Sequence, residues 1–278
     1  MKKIYVVATP IGNINEISKR AIEILNKIKV IYCEDTRVIK KLLTLLDINL
    51  INKKFISLNG FNEKEVVEKI KLQNEFEICL VSDAGYPTIS DPGFCLINFA
   101  INNNISIEIV NGPSALMHAL VISGFSTNNF YFFGFLNSKK NKALFELVKI
   151  KEFQTTIIIY ESVHRIIETL KNIKEVFSDD VKLIVAKELT KSNETIYRGN
   201  INKIIKEIDL RGEFVIVIDN NYNENKKEII NINDYIMEVK KLVNKNNSEK
   251  IACKMVGYKY GISSKDLFNA LQLKKNII

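Results

Sequence analysis

The stretch Ile78-Cys79-Leu80-Val81-Ser82-Asp83-Ala84-Gly85-Tyr86-Pro87-Thr88-Ile89-Ser90-Asp91-Pro92-Gly93, running into Phe94 to Asn103, decides the fold. A four-residue apolar run bounded by a segment rich in Gly, Pro, Ser and Asp reads as a fully buried strand. Phe94 to Asn103 then carries the apolar content of a helix. Strand, loop and helix in that order are the first part of a βαβ unit, and strands buried on both faces belong to parallel sheet.

Working outward, the same order recurs. Strands are expected at Ile4 to Ala8, Val30 to Cys33, Phe55 to Ser57 and Ser106 to Val110, with helices at Glu16 to Lys27, Val38 to Leu46 and Glu63 to Gln73. These form a first α/β domain, residues 1–113. A second series, residues 114–220, has strands at Phe130 to Phe135, Thr155 to Tyr160, Lys182 to Ala186, Thr195 to Arg198 and Phe214 to Asp219. Its helices are Asn141 to Lys149, Val163 to Phe177 and Ile201 to Ile208. The connections around Thr195 to Arg198 are short, so part of this second sheet is expected to be antiparallel.

Asn220 to Lys227 is polar, lacks an apolar period and reads as a linker. The remainder of residues 221–278 is helical: Asp234 to Val243, Ser248 to Tyr260 and Ser264 to Leu273. Ser248 is a candidate cap, Ile251, Met255 and Val256 share a face, and Gly261 suits the turn that follows. Ser263 or Ser264 caps the next helix, whose Leu267, Phe268 and Leu271 form its buried side. Such a pair is either a helix-turn-helix or a plain helical hairpin.

With 278 residues, 46% of them hydrophobic, and a mean hydropathy of zero, dominant disorder is excluded. Cys33, Cys79, Cys95 and Cys253 show no paired spacing, which excludes a disulfide scaffold and suits a reducing compartment. No run approaches the ~20 apolar residues of a membrane span, and Ile4 to Ala8 is too short for a signal peptide. A soluble cytoplasmic protein is expected. The net charge is +8, with only five arginines among 40 basic residues. By region the excess is +1 over residues 1–113 (14 basic, 13 acidic), +2 over 114–220 (15 and 13) and +5 over 221–278 (11 and 6). Drift toward lysine codons would spread the excess evenly, so the helical tail is expected to grip a polyanion, through lysines alone and therefore without sequence preference.

In parallel α/β sheets ligands bind outside the carboxyl ends of the strands. The segments there are Ala8-Thr9-Pro10-Ile11-Gly12-Asn13, Ser82 to Gly93, and Asn111-Gly112-Pro113-Ser114-Ala115; they hold all four prolines of the chain and four of its eleven glycines. That concentration points to a backbone-lined small-molecule site. It is not a standard nucleotide site, since neither G-x-G-x-x-G nor a phosphate-loop lysine is present. Asp83 at its strand end is expected to touch the ligand, and Asp91 before Pro92 to cap the next helix. No ligand spacing suggests a metal. His118 lies in an apolar helical stretch and is expected to be packed; His164 is open to either reading. Polar clusters also follow other strands: Glu34-Asp35-Thr36-Arg37, Glu161-Ser162-Val163-His164-Arg165 and Lys187-Glu188-Leu189-Thr190-Lys191. Drawn from both domains, they suggest a polar cleft between them.

Taken together and in order, Ala8 to Asn13, Glu34 to Arg37, Ser82 to Gly85 with Ile89 to Gly93, Gly112 to Ala115, Tyr160 to Ser162 and Glu188 to Lys191 resemble the tetrapyrrole methylase superfamily, and within it the branch acting on small-subunit ribosomal RNA. The resemblance runs from Ile4 to Ile218, and the helical tail is similar to that branch's small terminal domain. It implies two α/β domains of the tetrapyrrole methylase type, S-adenosyl-L-methionine as methyl donor, 2'-O-methylation of a cytidine in the decoding region of 16S rRNA within the 30S subunit, and a homodimer. The donor site so implied comprises Pro10, Gly12, Asp83, Gly85, Tyr86, Ser114, Ala115, Tyr160 and Ala186. For such a transfer Glu161 and Glu188 are the candidate base or hydroxyl orienters, with Arg37 and Lys187 as candidates for positioning the phosphate backbone or lowering the hydroxyl's pKa. Tyr86 and Thr88 stand where that family usually has Thr and Gly, Asn111 where it has Pro before Gly-Pro-Ser, and Val163 where it has Pro after Glu-Ser. Two alternatives remain: a small-molecule methylase acting on a tetrapyrrole or corrinoid precursor, and a non-catalytic RNA-binding assembly factor.

Overall fold

The computed structural model describes residues 2–72, 76–221, 232–243, 248–260 and 263–275. The chain divides into two compact units, Met1–Asn221 and Tyr222–Ile278.

The first unit contains two five-stranded sheets. In the first, β1 (Lys2–Val7), β2 (Val30–Cys33), β3 (Lys54–Ser57), β4 (Phe76–Val81) and β5 (Ser106–Val110) lie in the order β3-β2-β4-β1-β5, every pair parallel. The central strands β1, β2 and β4 are covered on both faces, which is why Ile4 to Val7, Ile31 to Cys33 and Ile78 to Val81 are apolar, while the edge strands β3 and β5 are partly exposed. Ile4 and Val6 face α3 (Glu63–Lys71) and α4 (Phe94–Asn102), while Tyr5 and Val7 face α1 (Lys19–Lys27) and α2 (Thr36–Leu45). β1 and β4 are neighbours, yet the chain leaves β1 past β4 toward β2 and leaves β4 past β1 toward β5. Their connections diverge, so a crevice opens between the loops at their carboxyl ends.

The second sheet contains β6 (Phe130–Phe135), β7 (Thr156–Ser162), β8 (Leu183–Lys187), β9 (Thr195–Gly199) and β10 (Glu213–Ile218), in the order β6-β7-β10-β8-β9. Only β6 and β7 are parallel. The expected antiparallel character extends beyond β9, because β10 inserts between β7 and β8 and opposes both. One face packs on α6 (Lys140–Lys151), α7 (Ile166–Phe177) and α8 (Ile201–Glu207). The other packs on α5 (Ala115–Ser123) together with Leu189 and with Ile11 from the loop after β1. A residue of the first half thus belongs to the core of the second.

Two local expectations are corrected. The helix expected from Glu16 is interrupted: Ile14–Glu16 is a single 3-10 turn capped by Asn13, and α1 begins only where Ser18 Oγ accepts from Ala21 N. In the second unit, α9 (Ile232–Val243), α10 (Glu249–Tyr260) and α11 (Ser264–Lys275) share a core of Ile236, Val239, Ala252, Cys253, Val256, Leu267 and Leu271. α10 turns the small Ala252 and Cys253 inward beside Val256 and leaves Ile251 and Met255 about half exposed, so the three residues expected to share a face do not. Small inward side chains let three helices approach closely. Ser248 and Ser263 accept from Ile251 N and Asp266 N at the helix starts. Gly261, the expected turn residue, lies outside the described residues. Among the described residues no helix is long and apolar enough to cross a membrane.

Candidate active site

A cavity of about 380 Å³ lies at the carboxyl ends of the first sheet's strands, closed on its other side by β7, β8 and β10. Small-molecule sites have volumes of ~300–1,000 Å³. Its first wall is the loop from Ser82 to Gly93, held in an unusual shape. Thr9 and Gly85 exchange two backbone hydrogen bonds, of 2.9 and 3.1 Å, so that two parallel neighbours are clasped by an antiparallel bridge. Ser82 Oγ donates to Gly85 O at 2.9 Å and Thr9 Oγ1 to Ser82 O at 3.1 Å. Gly85, Thr88, Ser90 and Gly93 all have positive φ. At Gly93 (φ 128°) a Cβ would lie 2.8 Å from Leu80 Cδ2, so both conformation and space demand glycine.

Asp91 does not cap α4 as expected. The helix starts after Gly93, and its first amides donate to Glu63 of α3. Asp91 lines the cavity instead, with Glu34 and Asp83. Burial, reinforced by the charges of Glu34 and Asp83, pushes the Asp91 carboxyl up to about 7. Burial also raises Asp83, with Asp35 adding to it, and raises Glu34, with Asp83 and Asp35 adding to it. Asp83 Oδ1 accepts from Asp35 N at 3.1 Å. Burial is the main cause at all three, and the like charges add to it, an arrangement that favours a cationic ligand.

The opposite wall is aromatic and apolar, formed by Phe135, Tyr160, Ala186, Leu189 and Val215. The Tyr160 hydroxyl accepts from Leu116 N at 3.1 Å, its ring meets Phe132 edge-on at 4.8 Å, and burial moves the phenol up to about 12. Glu161 is buried with both oxygens engaged: Arg165 Nη2 at 2.8 Å, Ser162 N at 2.7 Å and Thr169 Oγ1 at 2.7 Å.

The residues expected from the sequence separate into groups. Asp83, Gly85, Tyr86, Ser114, Ala115, Tyr160, Ala186 and Glu161 all line the cavity. Pro10 and Gly12 do not. Gly12 abuts the loop after β8, where a Cβ would fall 2.5 Å from Lys191 Cγ and 2.7 Å from Thr190 Oγ1, and Asn13 N donates to that hydroxyl at 3.0 Å. Arg37 borders an adjoining hollow with Glu34, Asp35 and Asp83, is largely exposed, and forks onto Asp35, whose carboxyl it lowers to about 2. Lys187 is buried against Asp209, itself lowered to about 2 by Arg211 and Lys187. Glu188, at φ 51°, accepts from Lys191 Nζ at 2.8 Å and Glu213 N at 3.0 Å. Against its burial, those bonds hold its carboxyl below the ordinary value. Sequence reasoning missed Asp91, whose place before Pro92 imitates a cap, and Glu34, visible only as one of several strand-end charges. His118, expected to be packed, is partly exposed with Nε2 3.9 Å from Glu194 Oε2, and His164 is exposed. Among the described residues no group of His, Cys, Asp and Glu is arranged to hold a metal ion. Two positions that depart from the resembled pattern meet: Tyr86 Oη donates to Asn111 Oδ1 at 3.3 Å and accepts from Gly112 N at 3.2 Å.

Residues 3–205 match the family described as Tetrapyrrole (Corrin/Porphyrin) Methylases. Proteins named ribosomal RNA small subunit methyltransferase I are similar along nearly the whole chain: that of Mycoplasma genitalium is 43% identical and that of Mycoplasma pneumoniae 41%, each match covering 96% of this chain and 98% of the relative. The Helicobacter pylori (strain ATCC 700392 / 26695) protein of that name is 37% identical over 81% of this chain and 84% of its own. Among solved structures, a diphthine synthase (TM-score 0.58, 12% identity, covering 78% of this chain and 89% of that one) and a cobalt precorrin-4 methyltransferase (0.53, 15%, 78% and 94%) share the fold. The chain belongs to the tetrapyrrole methylase family and, within it, to the ribosomal RNA small subunit methyltransferase I group. It is a methyltransferase.

Proposed function

We propose that the protein transfers a methyl group from S-adenosyl-L-methionine to the 2'-hydroxyl of a cytidine in the decoding region of 16S rRNA, acting on the 30S subunit in the cytoplasm. The observation that carries this reading is the cavity at the β1–β4 switch point, which pairs an apolar, aromatic wall with a wall of mutually crowded carboxylates. That lining fits a donor that is both amphipathic and cationic. The near full-length relatives support the RNA substrate. The four free cysteines suit the cytoplasm.

The donor supplies an already activated methyl group: the hydroxyl oxygen bonds to the methyl carbon, the carbon–sulfur bond breaks, and the electron pair goes to sulfur. The protein's part is alignment and proton removal. In this reading Gly85, Tyr86, Ser114, Ala115, Tyr160 and Ala186 hold the donor, Asp83 faces its positive charge, and Pro10 and Gly12 fix the loop's distance from the second half. Asp91 takes the hydroxyl proton, since its carboxyl titrates near neutrality and it lines the cavity. Glu161, held by Arg165, orients the hydroxyl. Arg37, Lys187 and Glu188 shape and charge the rim where the RNA backbone enters. The lysine-rich helical unit grips phosphate, and the protein works as a homodimer, for which the exposed Phe130, Phe145, Val148 and Phe153 offer apolar surface.

The test is incorporation of labelled methyl into 30S subunits, naked 16S rRNA and tetrapyrrole precursors in parallel, with mass-spectrometric mapping of the product. A single ribose-methylated cytidine is expected. Label in tetrapyrrole alone would replace this reading with small-molecule methylation, and donor binding without label in any substrate would replace it with an assembly role. Deleting residues 222–278 is expected to weaken RNA binding and flatten its salt dependence while leaving donor affinity unchanged; equal losses of both would make the tail structural.

A further inference from the structure

Glu63 is a charged residue buried outside the cavity lining, and none of the chemistry above uses it. It opens α3, directly after a knot of asparagines at the end of β3. There Asn59 Oδ1 accepts from Phe61 N and Asn62 N, Asn62 Oδ1 accepts from Asn59 N, and Asn62 Nδ2 donates to Ser57 O. That knot fixes the place from which the Glu63 side chain starts. Its Oε1 crosses to the neighbouring element and accepts from Gly93 N at 3.0 Å, Cys95 N at 2.7 Å and Leu96 N at 3.4 Å. One carboxylate oxygen therefore gathers the first amides of α4, where the helix dipole also favours negative charge. α4 has no cap of its own: Gly93 is its cap position and makes no side-chain bond.

The segment ending at that anchor is the strained wall of the cavity. Thr88 and Ser90 hold positive φ, which side chains rarely adopt and which persists only where the surroundings enforce it. At its start the segment is fixed by the Thr9–Gly85 bridge and Ser82. At its end it is fixed by Glu63. Between them lie Ile89, Ser90 and Asp91, which face the cavity.

We infer that Glu63 is a positioning residue: it anchors the Tyr86 to Gly93 wall from behind and thereby sets the geometry in which the methyl donor is bound. This rests on the reading above that the donor occupies the cavity. Glutamate suits the task because its reach spans the two elements and its charge strengthens all three bonds.

The test combines Glu63→Ala, Glu63→Gln and, as a control for general loss of stability, Leu147→Ala, which truncates a buried side chain in the core of the second sheet. All are full-length. Two quantities are measured well below each variant's unfolding temperature: amide exchange of the ligand-free protein across residues 84–96, and the dissociation constant of S-adenosylmethionine by calorimetry. Glu63→Ala should speed exchange in that segment selectively and weaken donor binding at least tenfold. Glu63→Gln, which keeps an acceptor in place, should recover most of both, and Leu147→Ala should change neither selectively. Exchange that rises evenly over the first unit, or a donor constant that moves as much in Leu147→Ala, would overturn the inference. So would locally faster exchange with unchanged donor affinity. If the wild-type protein fails to bind the donor, the donor reading falls, and the exchange data still decide whether Glu63 holds the wall.

Discussion

The two walls of the cavity treat charge in opposite ways. On the side built by the first sheet, Glu34, Asp83 and Asp91 crowd one another and their carboxyls rise. On the side built by the second, Glu161 is matched by Arg165, and beside that wall Lys187 is matched by Asp209 and Glu188 by Lys191. A carboxylate held by three donors is a poor base, which fits Glu161 to hold the reacting hydroxyl and not to take its proton. One raised by burial and like charge is ready to take a proton near neutral pH. On the function proposed above, the contrast puts proton transfer on the first wall and positioning on the second.

The largest effect expected from breaking this contrast is at Asp91. Asp91→Asn should slow single-turnover methyl transfer to 30S subunits by ~100-fold or more. The wild-type rate should rise with pH through about 7, as the carboxyl ionises, and the variant should be flat. A wild-type rate independent of pH in that range would remove Asp91 from proton transfer.

The paired wall should answer in stability instead. Arg165→Ala leaves the buried Glu161 carboxylate without its cation, a change that costs about 3 kcal/mol in comparable sites. Urea unfolding of the variant would show it as a lowered midpoint. An unchanged midpoint accompanied by a large loss of rate would move Glu161 into the chemistry and blur the distinction between the walls.

A smaller effect sharpens the comparison from the other side. The Asp91 carboxyl lies above its unfolded value of 3.8, so the folded state holds the proton more tightly than the unfolded chain does. Its contribution to stability is complete below that value and is lost as pH rises through about 7. Asp91→Asn should therefore melt at a higher temperature than wild type above that pH and match it in acid, by scanning calorimetry. A variant less stable than wild type at alkaline pH would contradict the burial of charge there. The smallest change expected is from Tyr86→Phe, which takes the hydroxyl from Asn111 and Gly112 N. Donor affinity should fall a few-fold, on the order of 1 kcal/mol; no change in a calorimetric titration would show that the pair contributes nothing to the pocket's shape.

The first sheet was legible in the sequence because its central strands are buried on both faces and its turns concentrate proline and glycine. Antiparallel pairing around Thr195 was legible from short connections, but the insertion of β10 between β7 and β8 leaves no local trace. Local rules also explain the errors. Asp91 before Pro92 satisfies every short-range criterion for a cap, and the structure fills that role with a carboxylate 30 residues away in the chain. Ile251 and Met255 have helical spacing and the right hydrophobicity, yet α10 buries the smaller Ala252 and Cys253 because two helices press on it. Of the candidate site, the lining that comes from strand ends was readable. The division between crowded and paired charges was not, since it depends on partners such as Thr169, Asp209 and Arg211 that no motif links to the residues they hold.

Gly12 sits against Thr190 and Lys191 with no room for a methyl group. There the main chain of Gly12 is a spacer of zero thickness, and a Cβ would meet the Thr190 and Lys191 side chains and come 3.0 Å from the Leu189 carbonyl oxygen. Any side chain at position 12 would act as a wedge at the fulcrum, tilting one wall of the cavity against the other and loosening its discrimination among molecules of similar size.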